Sequence, residues 1–162
     1  SGPALVLGAG GAARAIVGAL LAAGLSDVRV SNRTRARAEA VAALADTSEN
    51  SGGVRVFDWA ARAQAAEGAT LLVNTTSLGM QGAPALDMSL DTLAAKATVA
   101  DIVYVPLETD LLACARSQGH MPVNGLGMLV HQAAHAFDLW FGQHPAFDNV
   151  LRDRLNRDLG ET

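Results

Sequence analysis

Apolar residues along this chain keep two alternating rhythms. Short unbroken runs, ALVL at 4–7 and TLLVN at 70–74, have the length and the flanking glycines or polar residues of buried strands. VRVSN at 28–32 alternates as a strand does, VRVF at 54–57 and TVADIVY at 98–104 supply two more, and MPV at 121–123 can add a sixth. Between them the period switches to 3.6. Residues 12–23 predict a helix with Ile16, Leu20 and Ala23 on one stripe and Gly24 as its stop. Residues 34–45 predict a second helix, opened by Thr34 and carrying Val41 and Leu44. Shorter helices are expected at 59–67, 90–97 and 108–119, the last closed by Gly119. The final third is helical: 126–141 places Leu126, Leu129, Val130, Ala133, Phe137 and Trp140 on one face, and 147–160 repeats the pattern with Val150, Leu151 and Leu155. Polar SENSGG at 48–53 reads as a loop, and TTSLGMQGAPALDMS at 75–89 as a functional loop on the end of a strand. Strand and helix alternating at this spacing imply an α/β fold: a doubly wound parallel sheet of about six strands with extra C-terminal helices from about 126 to 159, all 162 residues forming one domain.

The first turn of that sheet carries the strongest chemical signal. GAGGAA follows a predicted strand and opens a predicted helix, the context in which such a run of glycines binds a dinucleotide. Gly8 makes the tight turn, Gly10 lets the backbone approach a pyrophosphate beside Ala9, Gly11 and Ala12, and Ala13 takes the small position that packs helix on strand. At the end of the second strand an NAD site offers an acid for the ribose hydroxyls. Here that place reads SNRTRAR, with Arg33, Arg35 and Arg37 and no carboxylate. Guanidinium groups match a phosphate dianion on the 2′ oxygen, which favours NADP. Arg35 is expected to point into solvent and Arg33 toward the ribose.

Composition narrows the alternatives. Half of the residues are apolar and the formal charge is −4, so a basic nucleic-acid-binding face is not expected. The oily stretch 12–25 is interrupted by Arg14, Gly18 and Gly24 and is too short for a bilayer, and no basic-then-apolar leader opens the chain, so no membrane partner is expected. A single cysteine, Cys114, suits a reducing cytoplasm and reads as a small hydrophobe. Candidates for proton transfer are few. The only lysine, Lys96, reads as solvated surface, and His120 and His144 as surface or capping residues. His131 and His135 stand four apart on one helix, but Gln132 occupies the place of a metalloprotease glutamate and no third ligand is evident, so no metal is expected. Asp101 sits near the carboxyl end of a strand, where ligands bind in such sheets.

Taken together, GAGGAARA, SNRTRARA, VNTTSLGM, ADIVYVPLET and NGLGMLVHQAAHAFDLWFG occur in the order and spacing of shikimate dehydrogenases, and from Ala4 to Gly142 the chain resembles their Rossmann-like NADP-binding domain. The resemblance implies that Gly8, Ala9, Gly10, Gly11 and Ala12 hold the pyrophosphate and that Asn32, Arg33, Thr34 and Arg37 take the 2′-phosphate. It also implies that Thr75, Ser77, Leu78, Gly79, Ile102, Gly125 and Met128 line the nicotinamide side, with Tyr104 and Gln132 reaching toward shikimate. That family carries its catalytic Lys and Asp on an N-terminal domain, for which this chain shows no counterpart, so an NADP-dependent enzyme of aromatic amino acid biosynthesis is expected as the parent and an inactive fragment as the chain itself. Two other readings stay open: a dinucleotide-sensing module without catalysis, and a quinate/shikimate dehydrogenase. The Asn124-Gly125 pair departs from the family's Asp-Gly while keeping the turn.

Overall fold

The computed structural model describes residues 2–45 and 53–160. Its strands are β1 (Ala4–Leu7), β2 (Asp27–Asn32), β3 (Gly53–Asp58), β4 (Leu71–Asn74), β5 (Thr98–Asp101) and β6 (Met121–Val123). They form one sheet in the order β3-β2-β1-β4-β5-β6, with every neighbouring pair parallel. Helices α1 (Gly11–Ala22), α2 (Arg35–Ala45), α3 (Arg62–Ala65) and α4 (Asp110–Ser117) connect the strands, and α5 (Leu126–Phe141) and α6 (Asn149–Gly160) follow. This is the expected doubly wound α/β architecture. The expected loop at 48–53 lies outside the described residues except for Gly53.

Two apolar layers sandwich the sheet. Leu5, Leu7, Leu72 and Val99 pack with Leu90, Leu93, Leu111 and Leu112 on one face, while Val6, Val28 and Val30 pack with Ala13, Val17, Leu21 and Val41 on the other. Alternate residues of β1 thus serve opposite layers, which explains why all four of its side chains are buried.

Several expectations are corrected. On α1 the fully buried stripe is Ala13, Val17 and Leu21, one position away from Ile16 and Leu20, which flank it; Ala23 is exposed. The small Ala13 lets α1 lie close on the strands. Residues 90–97 form turns: Gly68 donates to the Thr92 carbonyl, Ala94 donates to that of Ala69, and Lys96 adopts φ 57. Burial of Leu90, Leu93 and Ala97 against the sheet outweighs the helix propensity of LDTLAAKA. The segment 59–67 splits into a 3₁₀ turn at Trp59–Ala61 and the single turn of α3. The strand expected to reach 104 ends at Asp101. On α5 only Leu126, Val130 and Ala134 are buried, whereas Trp140 is 78% exposed.

Candidate functional site

The strand order reverses between β1 and β4, and a crevice opens beyond the carboxyl ends of the strands there. Gly8 forms its floor with φ 108, a left-handed conformation that favours glycine. A methyl group on Gly8 would collide with Thr75 Oγ1 and stand 3.2 Å from the Thr75 backbone. Thr75 in turn spends its hydroxyl on the Leu7 carbonyl at 2.7 Å, joining the ends of β1 and β4. Gly10 precedes α1 with no side-chain cap, and the first turn holds no acid. A Cβ on Gly10 or Gly11 would meet no other described atom. The result is a stretch of bare backbone whose amides face outward at the positive end of a helix, a surface suited to an anion.

Beside this loop the three arginines part company. Arg35 is held by Glu39 and Asp58, each at 2.8 Å, and Asp58 followed by Glu39 raises its guanidinium above the ordinary value. Arg33 and Arg37 make no ion pair among the described residues. Asn32 Nδ2 donates to the Thr34 carbonyl at 2.8 Å and closes the turn that presents Arg33. Arg33 lines a cleft of about 350 Å³ together with Asn32, Trp59, Thr76, Ser77 and Leu78. A second, mostly apolar cleft of about 420 Å³ brings Thr75, Ser77, Ile102, Tyr104 and Met128 together with Met80. Ser77 borders both. Gly79 lies outside these two clefts, with φ 89 beside Thr109. Gly125 is buried against the Ile102 and Val103 carbonyls and sets the start of α5 on the end of β5. Gln132 is exposed one helical turn beyond Met128. Thr34 and Arg37 are exposed at the start of α2. His131 meets the Phe147 ring edge-on at 6.3 Å.

Asp101 now has partners that no local pattern announces. It is 1% exposed and accepts hydrogen bonds from Asn74 Nδ2 (2.9 Å), the Val103 amide (3.1 Å) and Thr109 Oγ1 (2.8 Å). Asn74 Nδ2 also donates to the Leu78 carbonyl, and Asn74 Oδ1 accepts from the Thr76 amide and hydroxyl. A buried amide and a buried carboxylate therefore shape the loop 74–78 that separates the two clefts. Burial pushes the Asp101 carboxyl above its ordinary value of 3.8, against the pull of Val103, Thr109 and Asn74. A raised value in the folded state means that protonation favours folding, so this contribution is full below the ordinary value and is lost as pH climbs through the raised one. The stability of the wild type relative to Asp101→Asn is expected to fall across that window in urea melts at stepped pH; a difference that grows with pH would contradict the assignment.

Comparison with known proteins agrees with this geometry. Residues 2–67 match the family described as Shikimate / quinate 5-dehydrogenase, and residues 125–152 match the Shikimate 5′-dehydrogenase C-terminal domain. The chain is 54% identical over 152 residues to a shikimate dehydrogenase (NADP(+)) of Paramagnetospirillum magneticum, an alignment covering 94% of this chain and 53% of that protein. A shikimate 5-dehydrogenase of Thermus thermophilus, solved with NADP(H) and shikimate, superimposes with TM-score 0.79 at 38% identity over 98% of this chain and 56% of that one. Quinate dehydrogenase of Corynebacterium glutamicum, solved with NAD, gives TM-score 0.84 at 29% identity over 99% of this chain and 55% of that one. The chain spans about half the length of the curated relatives it matches. In sequence and in fold alike, the chain belongs to the shikimate dehydrogenase family.

Proposed function

We propose that this chain is the NADP-binding part of a shikimate dehydrogenase, which reduces 3-dehydroshikimate to shikimate. The observation that carries the cofactor choice is Arg33: a guanidinium without an ion pair among the described residues, lining a cleft at the end of β2 where an NAD site would offer a carboxylate. The residues fit the cofactor. Uncapped amides at Gly10 and Gly11 would hold the pyrophosphate, Asn32, Arg33, Thr34 and Arg37 the adenosine 2′-phosphate, and Thr75, Ser77, Ile102 and Met128 the nicotinamide, with Leu78 reaching it from the wall of the Arg33 cleft. When bound, the nicotinamide supplies or takes up a hydride. The chain's own part is to orient that ring: Asn74 and Asp101 fix loop 74–78, and the apolar wall of Ile102, Val103 and Met128 keeps water from the reacting face. Gly79 and Gly125 act one step back, Gly79 through its left-handed backbone and Gly125 by allowing α5 to approach the end of β5 closely.

Tyr104, which is 38% exposed, and Gln132 are placed to offer a hydroxyl and an amide to substrate oxygens. Among the described residues the cleft of Tyr104 and Met128 is lined by no lysine, histidine or carboxylate to move the proton that accompanies the hydride. The proton relay then comes from the part of such an enzyme outside these 162 residues, and the chain alone binds cofactor without turnover. Tyr104 beside this cleft also argues against a sensor module, which has no use for a substrate-facing hydroxyl. A chimera tests this reading: with this chain replacing the matching segment of the Paramagnetospirillum relative, shikimate oxidation with NADP⁺ is expected at an ordinary enzymatic rate, and the chain alone is expected to stay at background. An inactive, folded and NADP⁺-binding chimera, or turnover by the chain alone, would contradict it. The single free cysteine fits a reducing cytoplasm, and no described helix is long and apolar enough to cross a membrane.

A further inference from the structure

Trp59 is the one large aromatic side chain in the cleft of Arg33, and nothing in the glycine loop or the arginine cluster accounts for it. It stands one residue beyond Asp58, whose register partner across the β2–β3 pair is Asn32, so Trp59 and Arg33 leave neighbouring strands at the same level. Its indole is half-buried and packs partly on the core layer of Leu72 and Leu90. The Arg62 guanidinium lies over the ring, 5.0 Å from its centroid. That guanidinium is itself pinned, donating to the Trp59 carbonyl (2.9 Å), the Asp87 carbonyl (2.8 Å) and Asp87 Oδ2 (2.9 Å). The ring is therefore held before any ligand arrives, and it lines a cleft of about 350 Å³ whose other walls are the Asn32 amide, the Arg33 guanidinium, the Thr76 and Ser77 hydroxyls and the apolar Leu78.

We propose that Trp59 is the stacking surface for the adenine base of the dinucleotide, a binding residue distinct from the phosphate-binding arginine. The proposal rests on the dinucleotide reading above and adds the group that receives the base. A flat heteroaromatic ring gains most from a flat, fixed aromatic partner, because no side-chain freedom is lost on binding. Arg33 takes the charge at the sugar, and Trp59 takes the π face of the base.

The test uses the full chain carrying Trp140→Phe, so that Trp59 is the sole indole; Trp140 is exposed on α5 and lines neither of the two clefts. Two probes divide the cofactor: 2′,5′-ADP, which has the base and 2′-phosphate, and nicotinamide mononucleotide, which has neither. The expected result is a saturable change in Trp59 emission with 2′,5′-ADP and none with the mononucleotide. Calorimetry is expected to show that Trp59→Leu weakens 2′,5′-ADP about tenfold and that Trp59→Phe, which keeps an aromatic face, loses only a small part of that. Binding of 2′,5′-ADP without an emission change, at an affinity Trp59→Leu leaves unaltered, would overturn the proposal and leave the cofactor reading standing. Failure of the parent chain to bind 2′,5′-ADP would overturn both. If Trp59→Leu does not fold, the emission of the unaltered indole decides.

Discussion

Replacing Arg33 with alanine is expected to weaken NADPH by about 1.5–3 kcal/mol, roughly a 10- to 150-fold loss of affinity, and to leave NADH nearly unchanged. Arg33 is exposed and has no ion pair among the described residues, so its removal breaks no salt bridge there. What it loses is a charge-assisted, forked interaction with a phosphate that NADH does not carry. Arg35→Ala is the natural control, because that guanidinium is already engaged by Glu39 and Asp58. Parallel calorimetric titrations of the two cofactors check the prediction, and equal losses for both would remove Arg33 from the 2′-phosphate site.

The next effect is expected on folding and concerns Gly125. Its φ of −74 is ordinary for any residue, so the argument is purely steric. A methyl group there would collide with the Ile102 carbonyl oxygen and stand 2.6 Å from the Ile102 carbonyl carbon and 2.8 Å from the Val103 oxygen. These are backbone atoms at the end of β5 and cannot rotate aside. The Gly125 amide also donates to the Val103 carbonyl at 3.1 Å, so withdrawing α5 costs a hydrogen bond as well. Gly125→Ala is therefore expected to destabilise the fold by about 3 kcal/mol or more, at or above the upper end of ordinary overpacking. Urea denaturation measures it. By contrast Gly127→Ala, where an added methyl meets no described atom, is expected to leave the midpoint unchanged or raised. Equal behaviour of the two variants would refute the close-approach account.

These two residues show which parts of the site could be read from the chain and which could not. Arg33 was readable because its neighbours in sequence are its neighbours in the site: a strand end, a turn and a helix start fit within a few residues. The same holds for the glycine loop, and for the strands whose apolar runs need no partner to be recognised. Gly125 is expected at the nicotinamide from its motif, and the structure adds that it lets α5 approach the end of β5 closely, a contact that no local pattern encodes. Asp101 stood out by its place on a strand end, yet its partners Asn74 and Thr109 come from two other segments. Trp59 passed as a helix residue because its cleft is assembled from the ends of β2, β3 and β4. Residues 90–97 misled for the opposite reason: their helix formers are sound locally, and only the apolar layer over β4 and β5 makes turns the better solution.

Everything functional here depends on a crevice that prefers a phosphorylated adenosine sugar. Family membership alone does not decide this, since a structural neighbour of the same fold was solved with NAD. Titrating this chain with NADP⁺ and NAD⁺ side by side at one ionic strength asks the question outright. NADP⁺ is expected to bind at least about tenfold tighter, the worth of one charged hydrogen bond to the 2′-phosphate, with the margin shrinking as salt screens that charge. Equal affinities, or tighter binding of NAD⁺, would contradict the account.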